Sequence, residues 1–231
     1  MLDISGKWVL LTGASRGVGR QVAEALAGRG CKLILHSRDA AHTDGLAADF
    51  RARGLIVHTL AAELSDQHQV VALGREALRI SGGIDILYNN AAIQIGWNDD
   101  KFATVAADYE RQFQVNTIAP ITLSNMMLPG MIERGWGRVV NVTSGIKDLP
   151  QLMAYAASKA ALDKYVYDMA PHLADTGVLM NLLDPGWLRT DLGGTEAPNA
   201  VESVLPGAMV PVLLEDGTCG KWFSAQDFAE Q

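Results

Sequence analysis

The chain has 231 residues, of which 48% are hydrophobic and 19% charged, with a formal net charge of −7. That length suits one sizeable α/β domain and is short for two, and the acidic balance, with no long Lys/Arg cluster, argues against a nucleic-acid partner. Cys31 and Cys219 stand far apart in apolar surroundings, as small buried hydrophobes do, so neither a metal site nor an oxidising compartment is expected.

The apolar run Trp8-Val9-Leu10-Leu11 stops at Thr12-Gly13. It is too short for a signal-peptide core or a membrane span, so a cytoplasmic protein without a membrane partner is expected. Strand-like apolar runs then alternate with helical patterns along the whole chain. Strands are predicted at 7–12, 31–36, 55–60, 84–89, 138–143, 178–183 and 220–224. Helices are predicted at 18–29, 40–53, 66–81, 103–133, 154–175 and 200–215. Such alternation implies right-handed crossovers and a parallel sheet covered on both faces. With no low-complexity linker, charge block or repeat, residues 1–231 are expected to form one doubly wound α/β domain.

The first predicted strand runs into Thr12-Gly13-Ala14-Ser15-Arg16-Gly17-Val18-Gly19. Its G-x-x-x-G-x-G spacing opens a helix. The first glycine permits a tight turn, the others let backbone approach a pyrophosphate, and the helix start offers N–H groups and a positive dipole end. A tight βα turn alone would use similar glycines, but the position directly after the first strand is where a dinucleotide fold places such a loop.

Farther along, MAYAASKAA at 153–161 holds Tyr155 and Lys159 four residues apart with no helix breaker between them. On a helix they share a face. A phenol of pKa ~10 is a poor acid–base group near neutral pH, and a cation near its oxygen favours the phenolate and lowers that value.

TGASRGVG resembles the cofactor loop of the short-chain dehydrogenase/reductase family. The resemblance implies a seven-stranded parallel Rossmann-type sheet in the order 3-2-1-4-5-6-7, with Gly13, Ser15, Arg16, Gly17, Val18 and Gly19 holding a cofactor. At the end of the second strand, Ser37 stands where NAD-preferring members carry Asp. Arg38 follows it, and Arg16 could reach the same 2′-phosphate, so NADP(H) is expected in preference to NAD(H). Arg38 could equally be a solvated loop residue, with Asp39 a rival ribose ligand in a shifted register.

Glu63 and Leu64 stand where the family has Asp and an apolar residue against the adenine, although Ser65-Asp66 is also a helix-cap signal. Asn89-Asn90-Ala91-Ala92 resembles Asn-Asn-Ala-Gly, with Ala92 replacing the glycine; Asn89 is expected to be structural and Asn90 to touch the cofactor. Asn116, in Gln114-Val115-Asn116-Thr117, matches an Asn that bends its helix and holds a water leading to the catalytic Lys. Ser144 matches the catalytic Ser, with Thr143 a rival hydroxyl; strand alternation forbids both from facing the site. Pro185-Gly186, Leu188 and Thr190, in PGWLRTDLGG, resemble the turn that embraces the nicotinamide, in a version most like carbonyl-reductase-type members.

The resemblance therefore implies hydride transfer between a nicotinamide and a carbonyl or secondary alcohol. Ser144 and Tyr155 would bond the carbonyl oxygen, Tyr155 would be the general acid/base, Lys159 would lower its pKa and bond the ribose, and Asn116 would complete proton supply. Ile93, Gln94, Ile146, Met153 and Trp187 flank the expected pocket, and their apolar bias suggests a hydrophobic small-molecule carbonyl substrate. The brief segment around 191–204 predicts a small lid and an open pocket. The helices at 103–133 and 154–175 match those by which members pair, so a homodimer or homotetramer is expected. A non-catalytic NADP(H) sensor or scaffold of the same fold is the alternative.

Overall fold

The computed structural model describes residues 2–229. Seven strands, β1 (Trp8–Leu11), β2 (Lys32–Ser37), β3 (Val57–Ala61), β4 (Ile86–Asn89), β5 (Gly137–Val142), β6 (Val178–Asp184) and β7 (Trp222–Ser224), make one sheet in the order β3-β2-β1-β4-β5-β6-β7. Every pairing is parallel; Leu10, for example, lies between Ile34 on β2 and Leu87 on β4. The expected Rossmann-type topology is thus the observed one.

The helices are α1 (Gly17–Ala27), α2 (Ala41–Ala52), α3 (Gln67–Ser81), α4 (Ala106–Phe113), α5 (Ala119–Glu133) and α6 (Met153–Met169). Successive strand residues face opposite sides, which builds two cores. Val9, Leu11, Leu35, Tyr88 and Leu183 pack with Val22, Leu26 and Phe50 of α1 and α2. Leu10, Ile34, Leu87, Val139 and Leu182 pack with Leu73, Leu123 and Val166 of α3, α5 and α6. Each fully buried Leu or Ile contributes about 1.5–3 kcal/mol. The cap signal at Ser65-Asp66 is used: the Asp66 carboxylate accepts from His68 N and Gln69 N at the start of α3.

Two predicted helices differ. The stretch at 103–133 is broken by a π turn at Gln114–Ile118, which carries Asn116. Pro120 has no N–H to offer the Asn116 carbonyl one turn back, and the hydrogen-bond ladder widens there. The helix predicted at 200–215 is instead two short 3₁₀ turns, Val201–Val204 and Gly207–Val212. Pro206 forces Leu205 into extended backbone (φ −97°, ψ 145°), and Pro211 removes a second donor. Among the described residues no helix is long and apolar enough to cross a membrane, and no group of three or more His, Cys, Asp and Glu could hold a metal ion.

Candidate active site

Strand order reverses beside β1, between it and β4, so the carboxyl ends of these strands frame the crevice where doubly wound sheets bind ligands. The glycine loop fills one side. Gly13 has φ +67°, and a Cβ there would lie 2.9 Å from the Ala91 Cα. A Cβ on Gly19 would lie 2.0 Å from the Gly13 oxygen, so both positions require glycine. Arg16 precedes α1 without a side-chain cap, which leaves first-turn N–H groups available to an anion. This close-packed loop with open donors fits a dinucleotide pyrophosphate.

Two neighbours hold the loop. The Asn90 amide donates to Thr12 O (2.9 Å) and Gly13 O (3.0 Å), while Thr12 Oγ1 accepts from the main-chain N–H of Asn90 and Ala91. The Asn90 amide nitrogen therefore braces the loop. Asn89 is structural, donating to Asn141 Oδ1 at 2.9 Å, and Ala92 is not among the residues with positive φ, so its methyl group is accommodated. Sequence reasoning missed His36. Its Nδ1 accepts from Gly13 N (3.3 Å) and its Nε2 bonds Ala62 O (3.0 Å), which makes it the Nε2–H tautomer tying β1 to β3. Burial pulls its pKa down to about 4. A lone polar residue ending the apolar run LIL was its only sequence signal.

At the outer end of the crevice, the Ser37 hydroxyl is turned onto Asp39 O at 2.6 Å, whereas Arg38 is exposed and makes no salt bridge among the described residues. Arg16 pairs with Asp191 at 2.6 Å, joining the glycine loop to the segment after β6. The Glu63 carboxylate accepts from Ser65 N and closes its own turn, and Leu64 is buried. Thr190 packs on the glycine loop, since a Cβ on Gly17 would meet its methyl group at 3.5 Å. Leu188 is buried beneath it, and the Pro185 carbonyl is held by Gln226 Nε2.

The chemistry-bearing side chains meet between β5 and α6. Tyr155 is 6% exposed, and burial pushes its phenol up to about 12; the Ser144 hydroxyl opposes that rise and the Asp184 charge adds to it. Lys159, also buried, donates from Nζ to Val142 O at 2.7 Å and is drawn down to about 8 by burial. The expected lowering of the phenol by Lys159 is therefore not what this structure gives, because desolvation dominates and the ammonium is committed to a carbonyl. Thr143 turns toward α6 and donates to Asp163 Oδ1 at 2.5 Å, which leaves Ser144 as the hydroxyl beside Tyr155. Asn116 locks the site from behind: its amide donates to Ile93 O (2.8 Å) and Ser158 Oγ (3.0 Å), and its oxygen accepts from Ile93 N (2.9 Å). Every polar atom of that side chain is thus engaged with protein, and Thr117 adds a bond to Ser158 O.

Of the residues expected to flank the pocket, Met153 (44%) and Trp187 (59%) are exposed, while Ile93, Gln94 and Ile146 are partly buried. The segment at 187–199 is stapled to itself. Trp187 Nε1 donates to Gly193 O, and Arg189 donates to the carbonyls of Ala197 and Pro198.

A family profile described as short chain dehydrogenase matches residues 7–200. The ketoacyl reductase HetN of a Nostoc species is 35% identical over 190 residues, covering 81% of this chain and 66% of that protein. Nodulation protein G of a Rhizobium species is 29% identical over 235 residues, covering 99% and 94%. Among solved structures, a 3-oxoacyl (acyl-carrier-protein) reductase from Agrobacterium tumefaciens C58, with NADP bound, superposes with a TM-score of 0.86 at 28% identity over 96% of this chain and 93% of that one. With this profile spanning most of the sequence and the sheet order in agreement, the chain belongs to the short chain dehydrogenase family of oxidoreductases.

Proposed function

We propose that the chain interconverts a carbonyl group and a secondary alcohol with NADP(H) as the preferred cofactor. The observation that carries this reading is the convergence of Ser144, Tyr155 and Lys159 at the end of β5, on the same carboxyl edge of the sheet as the glycine loop that follows β1. The loop at 13–19, with Pro185, Gly186, Leu188 and Thr190, would hold the nicotinamide cofactor, which would supply or take the hydride. The chain does the rest. At neutral pH the Tyr155 phenol keeps its proton, as a general acid must, and donates it to the oxygen on which negative charge develops. Ser144 gives that oxygen a second donor, and such preorganised donors are the protein's main contribution to rate. Lys159 places a positive charge on the same helix face, one turn from Tyr155, and Asn116 fixes α6 at Ser158 between the two.

Arg38, exposed and without a salt bridge among the described residues, supports NADP(H) over NAD(H), with Arg16 able to exchange Asp191 for a 2′-phosphate. The relatives named as ketoacyl and 3-oxoacyl reductases support a keto group as the reacting centre. The exposed apolar surface of Met153 and Trp187 suits a hydrophobic substrate. A homodimer or homotetramer built on α4, α5 and α6 belongs to the same reading; a monomer by light scattering contradicts that part. The test is NADPH and NADH oxidation against aldehydes, ketones, quinones and keto esters. NADPH-preferring turnover of at least one apolar carbonyl is expected, whereas binding without turnover across the panel would point to a sensor or scaffold.

A further inference from the structure

Tyr155, Lys159 and Asp163 recur at four-residue intervals along α6 and so share one helix face. The mechanism above uses the first two. Asp163 is partly buried, and its Oδ1 accepts the 2.5 Å hydrogen bond from the Thr143 hydroxyl. One residue earlier, the Val142 carbonyl accepts from Lys159 Nζ. The two charged side chains therefore dock on adjacent residues at the end of β5, ~3.3 Å apart along the strand. Ser144 follows directly, so the same anchor fixes the backbone that presents its hydroxyl.

We propose that Asp163, anchored by Thr143, is a positioning residue: it supplies the counter-charge that keeps Lys159 an ammonium and holds its reach to the end of β5. The inference rests on the reading of Lys159 as a charged member of the site. Burial alone works against that charge, and Asp163 is the group that opposes it. The titratable groups facing Asp163 are Lys159 and Tyr167 on α6 and Asp184 at the end of β6; Thr143, on the β5 side, does not titrate. Burial first, and then Asp184, push the Asp163 carboxyl up to about 6, which leaves it a carboxylate at neutral pH and above.

Asp163→Asn keeps an acceptor for the Thr143 hydroxyl and removes only the charge. The probe is the cofactor-free protein labelled with [ε-13C]lysine, its Lys159 resonance assigned by its loss in Lys159→Met. In Asp163→Asn, Lys159 is expected to titrate about one pH unit lower than in the wild type, with the alkaline limb of kcat/KM moving down alongside. Thr143→Val, which keeps the charge but frees the carboxylate, is expected to give a smaller shift in the same direction with a lower kcat; where Asn is not tolerated at 163, this variant decides. An unchanged Lys159 midpoint overturns the proposal whatever the activity. A lowered midpoint with an unmoved rate profile upholds the counter-charge and instead removes Lys159 from the reaction.

Discussion

Replacing Lys159 with Met separates what this residue costs the fold from what it gives the reaction. Lys159 is 3% exposed, and burial lowers its pKa from 10.5 to about 8. The folded protein therefore holds this proton less tightly than the unfolded chain does. Stability from this group is lowest below pH 8 and is recovered as pH rises toward 10.5, by roughly 3 kcal/mol. Met removes that penalty but leaves the Val142 carbonyl without its donor, which costs about 1–3 kcal/mol. At pH 7 the variant should accordingly be as stable as the wild type, or more stable by up to ~2 kcal/mol. Between pH 7.5 and 10.5 the wild type should gain on it by roughly 3 kcal/mol. Turnover, in contrast, should fall by about 10²–10⁴-fold. Urea unfolding at both ends of that pH range, with NADPH oxidation on the same samples, measures all three. A variant several kcal/mol less stable at pH 7, with a difference that does not change with pH, would refute the desolvated ammonium.

Arg38→Asp should weaken NADPH by about 10–100-fold, the loss of one charge-assisted contact, while sparing NADH; an unchanged NADPH/NADH ratio of kcat/KM contradicts the 2′-phosphate assignment. His36 is held neutral, its pKa lowered by burial to about 4, so the unfolded chain binds its proton first and stability drains as pH falls from 6.5 toward 4, by roughly 3 kcal/mol. Asp163, pushed up to about 6, works in the opposite sense over much of that window, so the comparison is with His36→Asn, whose urea midpoint should fall less between pH 7 and 5. Parallel pH slopes in the two proteins would contradict a neutral His36 bridging Gly13 and Ala62.

What was legible in the sequence is what short-range pattern encodes. The runs VLL, LIL and VVNV are buried on both faces and marked the central strands, while the sheet order was implied by the family resemblance of the loop that ends the first of them. Strand alternation left one of Thr143 and Ser144 for the pocket, and the structure sends Thr143 to Asp163. What long-range packing decides was hidden. Nothing near Asn90 in sequence reveals that its amide serves carbonyls 77 and 78 residues away, nor does the Tyr155–Lys159 spacing reveal that Lys159 reaches Val142 instead of a neighbouring phenol. The stretch at 200–215 is a different case, because Pro206 and Pro211 were visible and argue against the continuous helix predicted through them. His36 and Asp163 bond partners on other elements of the fold, which their local sequence does not disclose.

The most direct measurement of the central claim is Tyr155→Phe, assayed for NADPH-dependent carbonyl reduction and, on the same preparation, for NADPH binding by fluorescence titration. The change removes the phenol hydroxyl, which bonds Ser144, and keeps the buried ring. Loss of turnover by at least about 10²–10⁴-fold with NADPH affinity within a few-fold of the wild type is the predicted result. Substantial turnover retained by Tyr155→Phe would contradict the assignment of Tyr155 as the proton donor and, with it, the mechanism built on Ser144 and Lys159.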